Sequence, residues 1–229
     1  MPFNFEKRNK VVKDMKYYQK KQVVPDGGWG WVVCFAAACT NFTVTGLATS
    51  SGIFLIGLRR IFDDPVWKLA LVGALLDGLS MLAAPVGSVL LVYVSHRTVM
   101  ILAAILGFIG AILGAFSTTI EMMIATYGIM TGVSLGMSFF TCQIITGLYF
   151  DKRRALAIGI NNCGGGLGTM LVNLFYEFFI EIYGLRGTLL LVAGLLLNVA
   201  VYGALCRPLP YIYTDAKEKA CIAESSTSR

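Results

Sequence analysis

Six long apolar stretches, separated by breaks of a few polar or charged residues, leave this chain few ways to fold. They run over Gly30–Leu58, Leu69–Val94, Val99–Phe116, Met122–Leu148, Ala155–Ile182 and Thr188–Cys206. About twenty helical residues cross a hydrocarbon core, and each stretch is close to or above that length. In hydrocarbon the backbone N–H and C=O groups must be paired within the segment, so spans of this kind are helices. The sequence therefore predicts an all-α membrane protein. A basic tail over 1–28 leads into a bundle of six transmembrane helices over 29–207, and a polar tail follows over 208–229. The breaks at 59–68, 95–97, 117–121, 150–154 and 183–187 are hairpins between antiparallel helices. Only 14% of residues are charged, against roughly a quarter in a soluble domain.

Lys and Arg collect on the cytoplasmic side of membrane helices. With the N-terminus inside, fifteen of them fall on that side, including seven in the first 28 residues and the cluster Lys152-Arg153-Arg154. Four fall outside: Arg59, Arg60, Lys68 and Arg186. Both termini are therefore expected in the cytoplasm. The first 28 residues are hydrophilic and lack a cleavage-site pattern, so they are not read as a signal peptide. The net charge of +6 sits in tails and short loops, with no basic face interleaved with aromatics, which argues against nucleic acid as a partner. Six cysteines contain no CxxC pair and read as free thiols. A single histidine, His96, makes neither a metal site nor a catalytic triad. No catalytic residue, metal ligand or cofactor motif emerges, and an enzyme is not expected.

Polar residues within the spans fall in helical rhythm. Asn41, Thr45, Thr49 and Gly52 share one face of the first span, and Asn162, Gly166, Thr169, Asn173 and Glu177 share one face of the fifth. The fourth span repeats the pattern from Tyr127 to Thr141, while the third and sixth have less of it and read as outer support. Such residues glue helices together or line a water-filled path. Taken with Asp77, in the middle of the second span, they predict a path lined by Asn41, Thr45, Thr49, Asp77, Asn162 and Asn173. An intramembrane carboxylate is a functional candidate by default. Asp77 would carry a proton or pair with a cationic group, or else be a neutral acid bonded to a neighbouring helix. Lys152, Arg153 and Arg154, placed just before the fifth span, are the candidate cytoplasmic gate.

The entry to the first span reads Pro25, Asp26, Gly27, Gly28, Trp29, Gly30, Trp31. It resembles the first signature of the monocarboxylate transporter family, within the major facilitator superfamily. Tyr149, Phe150, Lys152, Arg153, Arg154, Leu156, Ala157, Gly159, Gly164 and Gly168 resemble that family's second signature, which leads into span five. The resemblance implies a twelve-span fold whose two six-helix halves rock around a central site. It also implies transport of small carboxylates across the plasma membrane, often with a proton, and in some members a single-span ancillary glycoprotein. This chain matches the N-terminal half and is expected to be a fragment, a truncated isoform or an incomplete gene model, working with a second half or a second copy. A truncated, non-transporting regulator of a full-length transporter is the alternative. Thr49 stands where proton-coupled members carry a lysine, so the sequence is identified as a divergent member.

Overall fold

The computed structural model describes residues 18–22, 28–150, 152–206 and 211–215. These divide into two units. One, drawn from residues 1–24 and 209–229, carries an antiparallel pair, β1 (Tyr18–Gln22) and β2 (Tyr211–Asp215). Tyr18 lies opposite Asp215 and Gln22 opposite Tyr211. Both strands fall in segments expected to be polar tails; the aromatic and β-branched residues of β2 suit a strand. The remainder of the two tails, with Asp26 and Gly27, lies outside the described residues.

The other unit, residues 25–208, is helical. Its elements are α1 (Trp29–Thr49), α2 (Ser51–Arg59), α3 (Val66–Tyr93), α4 (His96–Ala115), α5 (Ile120–Met123), a π-helical segment (Ile124–Thr131), α6 (Gly132–Tyr149) and α7 (Arg154–Leu205). Among the described residues five helices are long and apolar enough to cross a membrane. The first apolar stretch is interrupted at Ser50, between α1 and α2. The fourth runs unbroken from Ile120 to Tyr149 through the π segment.

The last two stretches are joined in α7, which has 52 residues. A straight helix of that length would measure about 78 Å, against a hydrocarbon core of about 30 Å. It is not straight. Gly184 has φ 67° and ψ 177°, a backbone region open essentially to glycine alone. Both ends of α7 return to the start of α1. Near its beginning, Cys34 Sγ donates to the Ala157 carbonyl at 3.6 Å, and at its end Trp29 Nε1 donates to the Leu205 carbonyl at 3.4 Å. At the opposite end of the unit, Gly57 packs beneath Ile180 and Leu185, on either side of the turn. The element folds back on itself around Gly184.

Small residues set the helix spacing, because lipid tails supply no hydrophobic drive between helices and close van der Waals contact must replace it. A Cβ on Gly164 would collide with the Ala38 carbonyl, and one on Gly168 with the Phe42 carbonyl. The two helices thus meet backbone to backbone, four residues apart on each. The fourth span does the same to α3: Gly132 and Gly136 leave no room for a Cβ beside the carbonyls of Leu76 and Ser80. Around these seams Leu47, Phe54, Leu58, Leu76, Leu135, Leu189 and Leu196 form the buried core.

Candidate functional site

Close packing of α3 on the fourth span brings Asp77 opposite the middle of α6, and α1 completes the enclosure. The result is a pocket of about 310 Å³ lined by Val44, Thr45, Ala48 and Thr49 of α1, Asp77, Ser80 and Met81 of α3, and Leu135, Gly136 and Phe139 of α6. Asp77 is the only charged side chain in the lining. Ser51 Oγ donates to its Oδ2 at 3.2 Å, and Ser80 Oγ donates to its backbone carbonyl at 2.7 Å. Among the described residues no Lys, Arg or His pairs with Asp77. A carboxylate so placed, in a wall that is otherwise mostly apolar, holds a proton or attracts a positive group.

The helix break at Ser50 serves this site. Ser51 turns to Asp77, while Ser50 Oγ donates to Asn173 Oδ1 of α7 at 2.6 Å, so adjacent hydroxyls tie α1–α2 to two different helices. On the Arg59 side of these serines the space is shut by aromatic rings. Phe54 lies 4.8 Å from the ring of Tyr127 and 6.5 Å from that of Tyr176, and the two buried tyrosine hydroxyls meet at 3.3 Å. The gap that Ser50, Ser51, Phe54, Tyr127 and Tyr176 enclose is too tight for a water molecule.

Of the six candidate path residues, the structure brings Thr45, Thr49 and Asp77 together in the pocket. Asn41 is buried, donating Nδ2 to the Asn161 carbonyl at 2.8 Å and accepting from Thr45 Oγ1 at 2.8 Å. Asn173 is half-buried and held by Ser50, and Asn162 is exposed, its Oδ1 accepting from Gln143 Nε2 at 2.9 Å. None of these three lines the pocket. Lys152, Arg153 and Arg154 are exposed at the start of α7, where Arg154 lays its guanidinium over Gly147 of α6.

Several residues at the site were outside the sequence reading: Ser51, Ser80, Phe139, Gln143, Asn161 and the Tyr127–Tyr176 pair as a seal. The signal for Asn161 and Tyr176 lies one residue out of phase with the face chosen on span five. Asn161, Gly165, Gly168, Val172 and Tyr176 are its buried face.

The family model for the Major Facilitator Superfamily matches residues 31–223. The chain belongs to the major facilitator superfamily. Monocarboxylate transporter 9 of Gallus gallus is 35% identical over 197 residues, covering 86% of this chain and 39% of that protein. Monocarboxylate transporter 12-B of Danio rerio is 36% identical over 187 residues, 81% of this chain and 39% of that protein. Monocarboxylate transporter 12 of Mus musculus is 31% identical over 205 residues, 90% and 41%. The chain therefore spans about two fifths of the length of the curated relatives it matches. Membership of this superfamily sets it among transporters rather than enzymes.

The stretches that resemble the two monocarboxylate-transporter signatures pack on each other. Gly30 lies against the rings of Phe150 and Tyr149, and Trp31 meets Phe150 edge-on with ring centroids 5.2 Å apart. Gly28, with φ 58°, makes the turn into α1, and Trp29 caps the end of α7. Gly164 and Gly168 then carry the α1–α7 seam, whereas Gly159 faces open space.

Proposed function

We propose that this helical unit crosses the membrane six times and forms the N-terminal half of a monocarboxylate-transporter-like secondary transporter. It moves a small organic solute, a carboxylate, across the plasma membrane by alternating access, linked to protons. The observation that carries the reading is the pocket between α1, α3 and α6, with Asp77 as its one charged group. Midplane sites between helices are where transporters of this kind bind their cargo. Asp77 takes the co-transported proton, Thr45 and Thr49 offer hydroxyls to the solute, and Arg154 holds the cytoplasmic gate.

The fold-back of α7 at Gly184 supports six crossings, because it returns the Leu205 end to the Trp29 end. The bias of Lys and Arg supports placing that end, with both termini, in the cytoplasm. In this arrangement the Phe54, Tyr127 and Tyr176 layer is the closed outer gate and the pocket belongs to an inward-facing state. The second wall of the path comes from a second half or a second copy.

The test is uptake of radiolabelled lactate, pyruvate and acetate by cells expressing the protein together with its second half, with and without an inward proton gradient. Asp77→Asn is expected to remove the stimulation by the gradient and to lower uptake at least tenfold at unchanged surface abundance, roughly what 1.4 kcal/mol of lost coupling gives. Uptake by Asp77→Asn that still follows the gradient would sink the role given to Asp77.

A further inference from the structure

Between the pocket and Arg154 lies a set of amides that the pocket does not use. Asn161 is fully buried. Its Nδ2 donates to Gln143 Oε1 at 3.0 Å, and its Oδ1, also buried, has no partner among the described residues. Gln143 in turn donates Nε2 to Asn162 Oδ1 at 2.9 Å. The hydrogen bonds therefore run in one direction, from buried Asn161 through Gln143 to exposed Asn162. Asn162 Nδ2 is left with donors that no described residue accepts. An exposed amide this deep in a span is costly against lipid, so this face meets water or protein.

Geometry says which. Phe139, Gln143 and Gly147 recur every four residues along one face of α6. Phe139 lines the Asp77 pocket, Gln143 binds Asn162, and a Cβ on Gly147 would sit 3.3 Å from the Arg154 guanidinium. On α7, Arg154 and Asn162 are two turns apart on a matching face. Three stations thus stand in a row: a cation at the mouth, a neutral donor pair in the middle and the Asp77 pocket at the end. The network also reaches the pocket from behind, because Asn41 joins the Asn161 carbonyl to Thr45.

We propose that the Gln143–Asn162 amide pair, held in register by buried Asn161, is a relay subsite that takes the carboxylate of the solute between Arg154 and the Asp77 pocket. Neutral donors suit that position. They bind an anion released by Arg154 without trapping it, and they let it move on to the pocket once Asp77 holds the co-transported proton and no longer repels it. This inference rests on the transport reading given above.

The experiment is the kinetics of radiolabelled lactate, pyruvate and acetate uptake in cells expressing the protein together with its second half, with surface abundance measured in parallel. Asn162→Asp replaces the donors with acceptors and a like charge. It is expected to raise KM at least tenfold with maximal rate and abundance unchanged, since a hydrogen bond to a charged group carries a factor of roughly ten to a hundred. Asn162→Gln, which keeps the donors, restores KM to within about threefold. Gln143→Glu should repeat the effect from the opposite helix, and it decides the matter if Asn162→Asp fails to reach the surface. An unchanged KM, or a loss confined to abundance in both charged variants, overturns the subsite. If Asp77→Asn abolishes the proton response in the same cells, that result leaves the transport reading standing. Absence of saturable uptake by the unaltered protein together with its second half sinks the transport reading, and the subsite with it.

Discussion

Thr131 and Ser134 lie three residues apart on the fourth span, both buried, and their hydroxyls have different fates. Ser134 Oγ donates across the helix interface to the Ala103 carbonyl at 2.6 Å. Thr131 Oγ1 has no partner among the described residues. Elsewhere Thr40, Thr141 and Thr146 each donate to the carbonyl four residues back. Thr131 closes the π-helical segment, whose i→i+5 register carries that carbonyl away. Removing an unmade bond costs nothing, while removing a made one costs about 1 kcal/mol. Thr131→Val is therefore expected to unfold in detergent at the temperature of the unaltered protein or slightly above it. Ser134→Ala should lose about 1 kcal/mol. Equal losses in the two variants would show that Thr131 has a partner after all. At this scale the sequence was partly legible. Asp77 announced itself, because a lone acid in an apolar run has no bland counterpart nearby. Asn161 did not, because beside Asn162 nothing in the sequence says which of two adjacent amides faces inward.

At the scale of elements, the apolar stretches were legible and their interruptions were not. Hydropathy marks where lipid is, and α1 with α2 reads as one stretch because Ser50 and Ser51 are small residues among apolar ones. The break is visible only through their bonds to Asn173 and Asp77. The π segment has no signature at all in apolar periodicity, since it changes register without changing composition. The turn at 183–187 was legible as a hairpin, yet it is made by one glycine rather than a loop. At φ 67° and ψ 177°, Gly184 occupies a conformation that a side chain strains. Gly184→Val is expected to cost about 1–3 kcal/mol, read as a lower unfolding temperature of the solubilised protein. An unchanged midpoint would mean that the fold-back forms without the glycine.

For the helical unit as a whole, two exposed surfaces differ in kind. Along α4, Leu102, Ile105, Ile109 and Leu113 are exposed and wholly apolar, the composition of a lipid-facing stripe. Across α1, α6 and the first half of α7, the exposed or half-exposed residues include Thr45, Thr49, Gln143 and Asn162, which lipid would penalise. That contrast is the physical basis for placing the solute path on the second surface and lipid on the first. It can be read directly by replacing Thr49 or Ile105 with cysteine, in a protein whose exposed Cys163 and tail Cys221 are changed to alanine, and treating inside-out vesicles with a membrane-impermeant thiol reagent. The account predicts that Thr49→Cys is labelled within minutes and protected by saturating solute, while Ile105→Cys stays unlabelled. Labelling of Ile105→Cys with Thr49→Cys left untouched would place water on the wrong face and contradict the account.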